Sequence, residues 1–404
     1  MRTMKSAKKK PGLWNKDYIL LLLCCLSAAV TNSFFISVFP VYVIDLGGDT
    51  AAIGAMATGL VIASVVTRIV FGNLQDKFGR RTIMIIGAVL YTLNTVAYIF
   101  LKDLTALYVL RFLNGITQGI YFGAAGTFVS DLVPEDKLVE GIAYFSLMGT
   151  VTLFFVPTLG SLLYNLVGAV PIFIIISITA SIGIVSGIMI SPSKNKVQIK
   201  NLDKKKNISE NKQSFITTIL EPKVFIPSMV WLLASMGYAS VTNFLTPFGK
   251  EVGITAISIW FTFESVTSMF VKAIAGKLTK LINPSKILVM ACLINFISLV
   301  LLSTAQNLIF VIISGILFGL GYDILPPILN SAVFKLVPSE RKGVASATYN
   351  VFADFGNGSG GLIWGFVAGA VDYRLMFFVA ATVMILALIL HLTKLRPKYV
   401  NGEI

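Results

Sequence analysis

One histidine, His391, and three cysteines, Cys24, Cys25 and Cys292, are all that 404 residues provide of those two types. Nothing in so sparse a set resembles the His/Cys grouping of a metal site, and no nucleophile and base pair is visible for covalent catalysis. No metal, no cofactor and no enzymatic activity are therefore expected. The three cysteines fall inside apolar runs and are read as buried thiols packing as small apolar residues. His391 closes the last apolar run and is read as interfacial. A Gly-x-x-x-x-Gly-Lys-Ser/Thr segment is also missing, which argues against direct coupling to ATP. Charge is scarce: 13% of residues are Asp, Glu, Lys or Arg, about half the roughly 25% of a soluble domain. The period-two alternation of a membrane β-barrel is absent. So is a small-residue cleavage site after the first apolar run, which is read as a retained helix.

What the chain does have is apolar length. Hydrophobic residues make up 56% of it, and its mean hydropathy is +0.83. A helix needs about 20 apolar residues to cross a hydrocarbon core of roughly 30 Å, because lipid offers no partner to an unpaired amide. Twelve such runs lie near 18–43, 51–71, 82–101, 104–128, 140–165, 169–190, 223–248, 254–275, 286–304, 307–330, 342–368 and 373–393. The expected fold is an all-α membrane protein with twelve transmembrane helices.

A net charge of +14 would suit nucleic acid or acidic lipid, but position along the chain explains it more plainly. Arg2, Lys5, Lys8, Lys9, Lys10 and Lys16 precede or open the first run. The even-numbered connections carry Lys77, Arg80, Arg81, Lys137, a lysine-rich set from Lys194 to Lys223, then Lys277, Lys280, Lys286, Lys335, Arg341 and Lys342. The tail adds Lys394, Arg396 and Lys398, whereas the odd-numbered connections hold only Lys102, Lys250 and Arg374. This is the positive-inside asymmetry, so both ends are expected in the cytoplasm and no nucleic-acid partner is needed. Lysine- and isoleucine-rich composition points to an AT-rich bacterium and hence to the plasma membrane. Residues 1–17 then form a cytoplasmic segment, 18–190 and 222–393 two six-helix bundles, and 394–404 a cytoplasmic tail. The polar stretch 191–221 is read as a flexible cytoplasmic linker whose lysines can touch anionic lipid.

The two halves are copies. At an offset of 204, "RIVFGNL" (68–74) falls on "KAIAGKL" (272–278), superposing Arg68 on Lys272, Gly72 on Gly276 and Leu74 on Leu278. The same offset lays "DLVPEDK" (131–137) on "KLVPSER" (335–341) and Gly115 on Gly319. The chain thus reads as a duplicated six-helix unit. Two such units related by an axis along the membrane normal would enclose a cavity at midplane and rock about it.

Between the second and third runs stands "GNLQDKFGRR" (72–81). Gly72 and Gly79 let helix ends approach through a tight turn, Asp76 can face the positive end of a helix in the other bundle, and Arg80 and Arg81 would hold the turn at the surface. In the fourth run, "RFLNGITQG" (111–119) places Arg111 ahead of glycines four and eight residues on, along one helix face. With these two segments, the chain resembles the major facilitator superfamily over nearly its whole length, and in particular its twelve-helix drug and metabolite antiporters. The resemblance implies that Gly72, Asp76, Gly79, Arg80 and Arg81 latch the halves together when the cytoplasmic side is closed. It also implies that Arg111 helps to couple proton movement to transport or organises the N-terminal half. One departure concerns export: the fifth run has "VPTLGS" (156–161) in place of the efflux pattern Gly-Pro-x-x-Gly-Gly. Pro157 and Gly160 match, Val156 and Ser161 do not, and Ala143 and Thr152 stand where glycines are expected.

Three acids sit well inside predicted helices: Glu264, Asp323 and Asp354. A carboxylate at such depth must take a proton or find a cation, and either outcome suits a proton-coupled carrier. Asp323 precedes Pro326-Pro327, which break the hydrogen-bond ladder, so a kink is expected there. Glu264 and Lys272 are two helical turns apart, about 12 Å by the helical rise, too far for a direct pair. Asn32, Phe34, Gln118, Tyr121, Tyr144, Tyr238, Asn243 and Asn357 are the expected cavity lining for a small, moderately polar solute.

Proton-driven efflux is the resulting expectation, with protons and a small organic solute as partners and a monomer sufficient. Proton symport for uptake uses the same acids, and flux direction separates the two. A non-transporting receptor or scaffold has no need of a duplicated latch or buried acids. If the cavity alternates, cysteines placed at Asn32 and Asn357 will react with impermeant thiol reagents from each side in turn. Reaction from one side alone would fit the receptor instead.

Overall fold

The computed structural model describes residues 13–134, 137–191, 220–338, 341–400 and 404. Most of the linker, the first twelve residues, and the side-chain surroundings of Gly72 and Asp76 lie outside the described residues. Six long helices come first: α1 (Lys16–Asp45), α2 (Thr50–Phe78), α3 (Arg80–Phe100), α4 (Leu104–Leu132), α5 (Leu138–Val167) and α6 (Ala169–Met189). Then follow α7 (Phe225–Glu251), α8 (Ile259–Leu281), α9 (Pro284–Ser303), α10 (Leu308–Tyr322), α11 (Leu325–Lys335), α12 (Lys342–Ala370) and α13 (Tyr373–Leu390). A π-helical turn at His391–Leu395 leads into the short α14 (Arg396–Val400). Each predicted run holds one helix except the tenth, which holds α10 and α11.

Local chemistry sets these ends. Asp49, Asp103, Asn307 and Asp372 accept hydrogen bonds from first-turn amides of α2, α4, α10 and α13, satisfying donors the helix leaves unpaired. Gly79 turns α2 into α3 at φ +88° and Gly168 turns α5 into α6 at +76°, backbone that a Cβ disfavours. Pro326 and Pro327 lie at the start of α11. Lacking N–H groups, they cannot bond the carbonyls of Tyr322 and Asp323, and α10 stops there.

Among the described residues, nine spans are long and apolar enough to cross a membrane by length and hydropathy alone. The three other long helices are α4, α8 and α12, which carry Arg111, Glu264 with Lys272, and Asp354.

Packing repeats between the halves. In the first, α1 lies against α5 and α6, α2 against α4, and α3 against α4 and α6; in the second, α7 lies against α12 and α13, α8 against α10, and α9 against α10 and α13. Under the offset of 204 each of these pairings in one half has its copy in the other. The repetition reaches single atoms: a Cβ on Gly115 would stand 2.2 Å from the Leu60 carbonyl oxygen, and one on Gly319 would stand 2.6 Å from that of Glu264. Leu60 and Glu264 are themselves offset partners. The result is two six-helix bundles related by a pseudo-two-fold axis.

The bundles meet along α2 with α12 and α5 with α8, chiefly in the halves remote from the basic connections. There a Cβ on Gly54 would stand 2.3 Å from the Gly361 carbonyl oxygen, and Thr58 Oγ1 donates to the Gly358 carbonyl at 2.6 Å. On the other seam, Thr158 Oγ1 donates to the Ser258 carbonyl at 3.0 Å and Thr262 Oγ1 to that of Phe154 at 2.6 Å. At the same end Asp45 accepts from Tyr164 at 2.6 Å and pairs with Lys250. Toward the basic face, by contrast, nothing among the described residues packs within 4 Å of where a Cβ on Gly126, Gly149, Gly276 or Gly343 would sit. The bundles are closed at one end and parted at the other.

Gly54→Ala is expected to destabilise the fold by about 1 to 3 kcal/mol through overpacking, read as a lower melting temperature in detergent. Gly126→Ala should leave that temperature unchanged or raised. Equal melting temperatures for the two variants would refute this account of the seam.

Candidate functional site

Where the bundles part, a cavity of about 370 Å³ lies between α1, α2 and α4 of one bundle and α7 and α12 of the other. Asn32, Gln118, Asn243 and Asn357, expected in the lining, line it, together with the coupling candidates Arg111 and Asp354 and with Phe35, Phe39, Ser64, Arg68 and Thr242. Gln118 organises one wall. Its Nε2 donates to Asn32 Oδ1 and Asn114 Oδ1, each at 2.9 Å.

Four aromatic residues expected in the lining are placed elsewhere. Phe34 packs on Gly160, Tyr121 donates to the Cys24 carbonyl at 2.8 Å, and the Tyr144 ring sits 4.8 Å from that of Trp14. Tyr238 stacks with Tyr322 at 4.8 Å and Phe318 at 5.9 Å. The reason is helical phase. Phe34 lies about 200° around its helix from Asn32, and Tyr238 about 140° from Asn243. His391 is likewise buried within the protein, its Nε2 at 3.0 Å from Ser285 Oγ in the first turn of α9.

The buried acids all find partners. Asp354 Oδ2 meets Arg68 Nη2 at 3.0 Å across the α2/α12 seam. Asp323 Oδ1 meets Lys272 Nζ at 3.0 Å within the second bundle, and the same ammonium lies 3.5 Å from Thr150 Oγ1 across the α5/α8 seam. Glu264, 4% exposed, accepts from Ser265 Oγ at 3.1 Å and sets its carboxyl against that of Asp323. Glu264, Asp323 and Lys272 thus form one buried charged group in the second bundle. As expected, Lys272 does not pair with Glu264 directly. Arg68 and Lys272 had not been singled out as site residues. Their superposition at the offset of 204 as the two intramembrane cations of matching helices was the available signal.

Arg111 stands apart from these pairs. It is 9% exposed, and its guanidinium lies 4.4 Å from the Phe39 ring centre and 5.4 Å from that of Phe35. Its Nε and Nη1 have no hydrogen-bond partner.

In the α2–α3 turn, Arg80 pairs with Asp131 at 2.8 Å and donates to the Thr127 carbonyl and Ser130 Oγ, both at 3.1 Å. Arg81 donates to the Ile188 carbonyl at 2.8 Å. Both arginines therefore bind α4 and α6 of their own bundle at the end where the bundles part. Gly72 and Asp76, the other expected latch residues, lie outside the described residues in their side-chain surroundings.

A sequence profile of the Major Facilitator Superfamily matches residues 21–357 and, again, 247–403. The chain belongs to this superfamily. Among relatives, it is 22% identical to an uncharacterised transporter of the superfamily from Methanocaldococcus jannaschii, over 91% of this chain and 95% of that one. It is 20% identical to multidrug resistance protein 1 of Bacillus subtilis over 96% and 99% of the two chains. To the quinolone resistance protein NorA of Staphylococcus aureus the identity is 22% over 87% and 89%. Solved structures share the fold. A variant of the nucleoside transporter NupG superposes with TM-score 0.77 at 15% identity, covering 94% of this chain and 99% of that one. A bacterial homologue of the human lysosomal transporter Spinster, inward-facing and occupied, gives 0.78 at 12%, covering 94% and 96%. The superfamily member is a membrane-embedded transporter of small molecules.

The Arg68/Asp354 pair is half-exposed on the arginine side, 43% against 27%, so its stabilising effect is held to about 1 kcal/mol. Arg68→Ala and Asp354→Ala should each weaken the transporter, and the exchanged pair Arg68→Asp with Asp354→Arg should regain most of the loss. A melting temperature in the exchanged pair no better than in either single variant would show that the two charges do not act together.

Proposed function

We propose that this superfamily member is a proton-coupled secondary transporter exporting a small organic solute across the bacterial plasma membrane by alternating access. The observation that carries the reading is the buried group Glu264, Asp323 and Lys272. With one proton shared between the carboxyls the group is neutral; without it, one net negative charge stands in a bundle interior, where charge is costly. Lys272 is held by Asp323 in its own bundle and lies beside Thr150 in the other. The protonation state of the acids therefore changes how firmly Lys272 is held beside the seam, and so biases the two arrangements of the bundles. Asp354, paired with Arg68, is the second candidate coupling acid.

The bundles 18–190 and 222–393 move as units about the cavity, joined by 191–221. With both termini and the basic connections in the cytoplasm, the conformation described is inward-facing. Gly72, Asp76, Gly79, Arg80 and Arg81 belong to the face that closes in the opposite state. Support for export comes from the multidrug and quinolone resistance proteins among the relatives, although Val156 and Ser161 depart from the efflux pattern.

The test is flux in proteoliposomes under an imposed pH gradient. Glu264→Gln and Asp323→Asn should each cut gradient-driven transport by at least about tenfold, on the scale of losing an essential proton site, while leaving gradient-free solute exchange intact. Normal gradient-driven transport in both variants would end this assignment. Outward flux distinguishes export from uptake.

A further inference from the structure

The polar residues of the two bundles do not repeat as their backbones do. Where the first bundle has Arg111, Asn114 and Gln118, the offset of 204 finds Gly315, Phe318 and Tyr322 in the second. Where the second bundle has Glu264 and Asp323, the first has Leu60 and Gly119. The second bundle thus holds two acids and a stack of rings in its interior, away from the cavity, whereas the first sets a cation and a chain of amides along the cavity wall.

The cation of that wall has no protein counter-ion. Asp354 is taken by Arg68 and Asp323 by Lys272, and Glu264 lies with Asp323. Among the described residues, no carboxylate pairs with Arg111. The rings of Phe35 and Phe39 take up part of its charge through their faces, and the neutral Tyr98 hydroxyl lies close to it, but neither brings a negative charge to the edge of the guanidinium. Two of the guanidinium nitrogens are unpartnered, on a side chain more than nine-tenths buried that lines the cavity beside Asn32 and Gln118. A guanidinium desolvated in this way is costly until an anion reaches it, and its planar fork of donors matches a carboxylate.

We infer that the solute carried by this transporter is an organic acid whose carboxylate docks on Arg111, with its body against the Asn32/Gln118 amides and the Asn243 and Asn357 wall. This deepens the reading of the cavity as the solute site and rests on it, but not on proton coupling. In the solute-bound state, the acid supplies the negative charge that the first bundle lacks.

The test is equilibrium binding to the purified full chain in detergent at fixed pH, without a gradient, read as a shift in melting temperature. The probes are benzoate, indole-3-acetate, nalidixate and succinate, each beside its methyl ester, with chloride, sulfate and phosphate as inorganic controls. At least one acid should stabilise the protein and bind at least about tenfold more tightly than its ester. Arg111→Gln should lose that preference, and Arg111→Lys should keep part of it. The acid and ester comparison uses the unaltered protein, so an Arg111 variant that fails to fold does not disable the test. The inference is overturned if no acid binds, if acid and ester bind alike, if Arg111→Gln still prefers the acid, or if the inorganic ions stabilise as well as the acids. Gradient-independent flux with intact acid preference would fail proton coupling alone; gradient-driven flux with no acid preference would fail this inference alone.

Discussion

An ionised side chain moved from water into the bilayer interior costs several kcal/mol unless an opposite charge or a proton meets it. Much of the middle of this molecule follows from that constraint. Arg68 reaches across a seam to Asp354, Lys272 is held by Asp323, and Glu264 lies beside Asp323. Glu264 with Lys272, and Asp354, lie on α8 and α12, which with α4 are the long helices that do not qualify as spans by length and composition. The seams α2/α12 and α5/α8 are thereby where pairing and packing coincide. Close glycine crossings make this possible, because at Gly319 the backbone of α10 touches that of α8 and so brings Asp323 beside Glu264.

Polar contact is also what distinguishes the two ends of the seams. At the closed end, backbone carbonyls of one bundle accept from threonine hydroxyls of the other, and glycine removes the side chains that would hold them apart. Such bonds are individually modest and reversible. A set of them suits a contact that has to form and release as a unit, whereas a deep apolar interface would hold one arrangement too firmly.

The twelve spans, the duplication and the break before Pro326 were legible in the sequence because each depends on run length, register or a missing N–H. The four lining amides, Asn32, Gln118, Asn243 and Asn357, were legible because amides inside a span have few other places to go. The aromatic residues were not. Phe34 sits one position from Phe35 and two from Asn32, both lining residues, yet a step of one residue turns a helix by about 100°, and the sequence carries no record of rotation. Partnership was hidden for a related reason. Arg68 and Lys272 are equivalent by offset, but one pairs across the bundles and the other within its own, because their counterparts differ: Asp354 corresponds to Thr150, and Asp323 to Gly119.

The unequal furnishing of two otherwise matching walls has an evolutionary consequence. A homodimer of six-helix subunits must present the same residue twice, so a cation introduced on one side of its central chamber appears on the other, with the like-charge repulsion that follows. Covalent fusion of the two copies lifts that restriction. Each half is then free to discard what its twin retains, and a binding surface with a chemically distinct front and back becomes accessible to ordinary point mutation.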